Sequence, residues 1–217
     1  MGTRIGPSRF ELTGIRLGVK LDYIVPVLNF AELAFILRKS GYIMDQAGPN
    51  PVYFIGTKGH VGIYIDGMKG VFGAQAENVD DVQETTNEIF SLSEEAFDVD
   101  LNKFVSFFEI EINAFYRMGK DVYTAMAKLF QDSSDMKKLK DILKGDYSQI
   151  SLRMTPSAKN INSSEWYDLT IEPKVNSAGN TFVVRILSRS RQLEEMLKVA
   201  KRTEKTVDSI INKVLVK

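Results

Sequence analysis

The stretch Phe54–Gly73, FIGTKGHVGIYIDGMKGVFG, places the tightest limit on what this chain can fold into. Glycine stands at 56, 59 and 62, and again at 67, 70 and 73. An interior glycine costs a helix roughly 1 kcal/mol relative to alanine, so six of them in this window exclude one. Two tetrads, Gly56-Thr57-Lys58-Gly59 and Gly67-Met68-Lys69-Gly70, flank the β-rich run Val61–Ile65. Gly59 and Asp66-Gly67 carry hairpin chemistry. The pattern predicts three short antiparallel strands, at Val52–Thr57, His60–Asp66 and Gly70–Ala76.

The flanking sequence extends this β-rich unit in both directions. Residues 1–12 hold Gly2, Gly6 and Pro7 without periodicity and read as a flexible arm. Ile15, Leu17, Val19 and Leu21 alternate with Arg16, Lys20 and Asp22, as in a half-buried strand. Pro26 ends it. Asn29 and Glu32 form a capping-box pattern ahead of Phe30, Leu33, Ala34 and Leu37 at helical spacing, with Gly41 at the far end. Gly48-Pro49-Asn50-Pro51 is a turn. After the hairpins, Val79, Val82, Ile89 and Leu92 mark a helix that starts with Asp80 and Asp81, where acids suit the dipole.

From residue 99 the order repeats. Phe104, Ser106, Phe108, Ile110, Ile112 and Ala114 alternate with Val105, Phe107, Glu109, Glu111 and Asn113 as a long strand. Gly119-Lys120-Asp121 opens a helix through Val122, Met126, Leu129 and Phe130. It breaks at 132–135, resumes through Leu139, Ile142 and Leu143, and closes at Gly145. Strands at Gln149–Thr155, Glu165–Lys174 and Thr181–Ser188 follow, with a loop at 156–164 and a turn at 176–180. Leu193, Met196, Leu197, Ala200, Val207, Ile210, Ile211 and Val214 lie on one stripe of a last helix, with Ser190 placed to cap it. The expected fold is α+β. Two pseudo-repeated β-α-β-β-β-α halves, 13–98 and 99–217, form an antiparallel sheet, and the long C-terminal helix packs on it. This order is similar to that of the TATA-box-binding-protein fold, whose two halves form a saddle; the likeness is one of topology.

Composition narrows the chemistry. The 217 residues include no cysteine, which removes disulfides, thiolate nucleophiles, zinc–thiolate sites and iron–sulfur clusters. That fits a cytoplasmic protein. No apolar run approaches the ~20 residues of a membrane helix, so no membrane partner is expected. No metal or cofactor is implied: one histidine cannot build a histidine site, the carboxylates lack EF-hand spacing, and the glycines match neither phosphate-loop nor dinucleotide patterns.

Three sets of residues merit weighing. Gly56, Lys58, Gly59, His60, Gly67, Lys69 and Gly70 form a phosphate cradle on one reading and ordinary hairpin turns on the other. Glu109 and Glu111 share a strand face, as a proton-sharing pair or as solvated surface. Arg185, Arg189, Lys198, Lys201, Arg202 and Lys205 suit a nucleic acid, against the plain reading of a solvated helix face. The net charge is zero, yet residues 77–111 hold 11 acids and one base, and residues 185–217 hold nine bases and four acids. Such blocks pair within the fold or between subunits. The aromatic residues Phe104, Phe107 and Phe108 fall in apolar alternation and are expected in the core. No catalytic set assembles, so the expectation is a non-enzymatic binding or scaffold protein that forms a homo-oligomer. A nucleic-acid-binding protein and a phosphate-ligand pocket are the alternatives.

Overall fold

The structure, a computed structural model, describes residues 9–22, 28–45, 52–130, 141–142, 144, 151–156, 163–175 and 179–215. Nine strands form one antiparallel sheet: β1 (Arg9–Leu21), β2 (Ile43–Asp45), β3 (Tyr53–Lys58), β4 (Val61–Asp66), β5 (Val71–Ala76), β6 (Val105–Arg117), β7 (Leu152–Met154), β8 (Trp166–Pro173) and β9 (Thr181–Ser190). Their spatial order is β2-β3-β4-β5-β1-β6-β9-β8-β7. Four α-helices lie within the described residues: α1 (Phe30–Lys39), α2 (Val79–Phe97), α3 (Val122–Phe130) and α4 (Leu193–Ile210), the last continuing as a π-turn through Leu215.

Alternation decides which side of the sheet is buried. Ile15, Leu17, Val19 and Leu21 of β1 point inward with Phe72 and Ala74 of β5, Ile63 and Ile65 of β4, Ile110, Ile112 and Tyr116 of β6, and Phe182, Val184 and Ile186 of β9. Fully burying one such side chain is worth about 1.5–3 kcal/mol. Helix α2 covers this side over β5, β1 and β4, and α1 packs against α2 and β2, bringing Phe30, Leu33, Leu37 and Ile89 into one core. Helix α4 covers it over β9 and β6 through Met196 and Val207. The apolar stripe of α4 is therefore spent on its own sheet. Tyr116 adds a polar anchor, its hydroxyl donating to Asp208 of α4 at 2.7 Å.

Several expectations change in detail. The first strand starts at Arg9, inside the stretch read as an arm. A bulge between Leu12 and Gly14 shifts the alternation by one, so Phe10 and Leu12 are in phase with the core only if Thr13 is skipped. Four strands, not three, follow α1, because the three-residue β2 is too short to show a period. Helix α4 begins after Gln192, which makes no side-chain cap; the Ser190 hydroxyl instead accepts the Gln192 N–H at 3.1 Å. Phe107 points away from the core: its ring lies under the Arg189 guanidinium on the opposite side of the sheet. The turn at 48–51, the helix break at 132–135 and most of the loop at 156–164 lie outside the described residues. No described helix is long and apolar enough to cross a membrane.

Candidate functional site: the open face of the sheet

Among the described residues, no helix lies on the second side of the sheet, and the strand registers lay its side chains out in rows. One row runs Trp166, Arg189, Glu109, Gly18, Gly73, Tyr64, Ile55. The next runs Asp168, Leu187, Glu111, Arg16, Gln75, Gly62, Thr57. A third joins Phe107, Lys20, Val71, Asp66 and Tyr53. This face is rich in polar and charged side chains where the other is apolar, as expected of a sheet with one solvated side.

Charges here are matched across strands. Glu109 meets Arg189 at 2.5 Å and Glu111 meets Arg185 at 2.8 Å. Arg153 on the edge strand β7 grips the buried carboxylate of Asp168 through two nitrogens, at 3.0 and 2.6 Å. Glu11 pairs with Arg117 at 2.6 Å. The two glutamates on β6 are thus arginine partners, and the acidic and basic blocks of the sequence meet inside one chain. Lys201 near Asp80, at 3.9 Å, repeats this on the helix side.

Tyr64 is the feature that sequence reasoning missed. Its ring reaches across two neighbouring strands over the backbones of Gly73 and Gly18. A methyl built on Gly18 would stand 2.5 Å from the tyrosine hydroxyl, and one on Gly73 would overlap that hydroxyl and ring carbon Cζ. The Arg16 guanidinium covers the ring at 3.7 Å. Burial pushes the Tyr64 hydroxyl above its usual range, against the opposing effect of Arg16. Glycines inside strands, at 18 and 73, were the available sign of a close approach.

The residues proposed from sequence separate in space. Lys58, His60 and Gly59 stand at the β3–β4 hairpin; Gly67, Lys69 and Gly70 stand at the β4–β5 turn. The six-residue strand β4 holds these turns about 20 Å apart at ~3.4 Å per residue. Gly59 and Gly70 take left-handed φ of +63° and +61°, as tight turns require. Gly56 is pressed against Met44 and the Ile43 carbonyl, and Gly67 against the Phe30 ring. The cations serve the fold as well. Lys69 reaches Asp66 at 3.3 Å. The His60 imidazole, 72% exposed, contacts Asp81 at 2.5 Å in the first turn of α2. Hydrogen bonds from His60 and then Asn78 hold the Asp81 carboxyl below its usual range.

Lys58 donates to Glu88 at 2.6 Å, and Tyr42 donates to the other oxygen at 2.7 Å. Burial alone would raise the Glu88 carboxyl, but those two hydrogen bonds and the lysine charge outweigh it and leave it below the usual range. A carboxyl lowered by folding stabilises above its unfolded pKa, and that contribution is lost as pH falls through the folded value. Glu88→Gln should therefore cost about 1 kcal/mol at neutral pH and nothing once both forms are protonated. Urea unfolding from pH 7 to pH 3 checks this; parallel curves for the two proteins would refute it.

The basic set also divides. Arg185 and Arg189 lie on the open face, whereas Lys198, Lys201, Arg202 and Lys205 lie on α4 behind the sheet, with Lys198 bonded to Glu195 at 2.7 Å. No continuous track joins them. No group of three or more potential metal ligands is assembled among the described residues. No protein-family model matches the chain, and no curated protein matches it in sequence.

Proposed function

We propose that this chain is a non-enzymatic binding or scaffold protein whose working surface is the open face of its sheet. The observation that carries the proposal is the furnishing of that face: aromatic rings and cross-strand ion pairs in rows, with Tyr64 laid flat over two glycines beneath Arg16. The proposal includes descent from two pseudo-repeated halves. In its favour, β1 and β6 are both 13 residues long, pair antiparallel at the centre, and are each flanked by the last strand of their own half. The saddle-like element order belongs to the same reading.

Self-association is part of the proposal, and it uses this face, since α4 is occupied by its own sheet. Ile43, 72% exposed, and Ile55, 39% exposed, sit together at the β2–β3 edge of the face as apolar contacts for a second copy. Light scattering should give a mass above one chain, falling toward one chain in Ile55→Glu. A single-chain mass at every concentration removes self-association. Native mass spectrometry that finds neither oligomer nor retained ligand counts against the binding role itself.

A nucleic-acid partner is the second reading, favoured by the arginine stacked on Tyr64. It uses the open face and not α4. Charge reversal at Lys198, Lys201 and Lys205 should leave retardation of a single strand unchanged, while Arg16→Glu should weaken it about tenfold or more at low salt. The opposite pattern would move the site to the helix.

A further inference from the structure

We propose that the groove over Gly18 binds a nucleotide, its ring stacked beside Arg16 and its phosphate held at Lys20 and Lys69. This rests on the open face being the working surface and names the ligand chemistry for one part of it.

Shape is the first argument. The groove encloses about 550 Å³ between the β4–β5 turn and strand β6, with Gly18 in its floor. That is within the range of small-molecule sites, roughly 300–1,000 Å³. Both sides carry flat groups. On one, the Arg16 guanidinium lies 3.7 Å over Tyr64; on the other, the Arg189 guanidinium lies 4.9 Å from the Phe107 ring centre. A planar ring entering here meets stacking partners on either side.

Charge is the second argument, and it is independent of shape. The registers put Arg16, Lys20, Arg117, Arg153, Arg185 and Arg189 on the open face. Arg117, Arg153, Arg185 and Arg189 pair with carboxylates within 2.8 Å. Arg16 and Lys20 have no carboxylate at ion-pair distance among the described residues, and both line this groove. They stand four residues apart on β1, about 13 Å along the strand, and their long side chains converge on this one groove. The two bases not spent on carboxylates thus stand beside the flat groups of the groove.

Lys20 also links the groove to the second Gly-x-Lys-Gly tetrad. Its ammonium donates to the carbonyls of Leu21 at 2.8 Å and Lys69 at 2.5 Å, tying the turn to β1. One of its three N–H bonds remains for a ligand. The Lys69 ammonium joins it from the same turn, 3.3 Å from Asp66. At the other end, Glu109 lines the groove as an acceptor for an exocyclic amine.

The test is an amide chemical-shift titration of the full chain with adenosine monophosphate, adenosine, inorganic phosphate and oligo-adenylate. Adenosine monophosphate should shift Gly18, Tyr64, Phe107 and Gly70 together, and bind more tightly than adenosine or phosphate alone. Lys20→Gln and Arg16→Gln should each weaken it about tenfold, the effect of one charge-assisted contact. Arg117→Gln should not. Should Arg16→Gln fail to fold, Arg16→Lys keeps the charge and loses the stack, and should still bind several-fold more weakly. Tighter binding of oligo-adenylate assigns the nucleotide to a single strand; equal or weaker binding assigns it to a free nucleotide. Shifts elsewhere on the open face, or binding indifferent to Lys20→Gln, overturn the groove and leave the face as the working surface. No shift on the face at millimolar concentrations overturns the groove as well, and native mass spectrometry that finds neither oligomer nor retained ligand would then remove the broader reading separately.

Discussion

Replacing Gly73 with alanine should destabilise the fold by about 3 kcal/mol and lower Tm by roughly 6–12 °C for a chain of this size. The added methyl would overlap the Tyr64 hydroxyl and also the Leu17 carbonyl oxygen. The second is backbone in the middle of the sheet and cannot step aside. Gly18→Ala differs in kind. Its methyl meets only the Tyr64 hydroxyl closely, at 2.5 Å, while the Phe72 carbonyl is 3.7 Å away. Removing that hydroxyl in Tyr64→Phe should therefore recover most of the cost of Gly18→Ala and little of the cost of Gly73→Ala. Denaturant unfolding of the single and double variants gives both coupling energies. A Gly73→Ala protein as stable as the parent would mean that Tyr64 does not lie across the sheet, and the stacked arrangement with Arg16 would go with it.

Tyr116→Ala should cost about 3–5 kcal/mol, the usual loss for a buried aromatic truncated to alanine. That is a large share of a typical total of 5–15 kcal/mol, by the general range for native domains. Tyr116 is 1% exposed, and its hydroxyl meets Asp208, which also accepts from Asn212 at 2.8 Å. Tyr116→Phe separates the ring from the anchor and should cost roughly 1.5–3 kcal/mol, the worth of a hydrogen bond to a charged group. Hydrogen exchange adds a regional readout: α4 amides should lose protection in both variants, with α1 unchanged in Tyr116→Phe. Uniform loss across all helices in Tyr116→Phe would argue that this bond does not anchor α4 in particular.

Much of the fold was legible because its signals are local. Asn29, read as a cap, does cap α1 by accepting the Glu32 N–H at 3.1 Å. Period-two alternation located β1 from Ile15 and the core of β6. What stayed hidden depends on strand order. That Glu109 and Glu111 face Arg189 and Arg185 requires knowing that β6 lies beside β9. That Gly18 and Gly73 share one row with Tyr64 requires knowing that β1 separates β5 from β6. Lys58 and Lys69 looked equivalent because their tetrads match in sequence, yet a hairpin reverses the chain, so successive turns fall at opposite ends of the strand between them. Phe107 looked like core because its neighbours are apolar; the phase set by Ile110 and Ile112 turns it outward.

The placement of β1 has a consequence for synthesis. Of the strands in this sheet, the earliest in sequence is the middle one, with β5 on one side and β6 on the other. Translation runs at roughly 5–20 residues per second, so β5 arrives several seconds after β1, and the far end of β6, about a hundred residues on, later still. During that interval β1 presents an unpaired edge bearing Ile15, Leu17, Val19 and Leu21. The charged positions Arg16 and Lys20, which give the finished protein its groove, also interrupt that apolar run while it waits, as charges do on strands that must not pair with strangers.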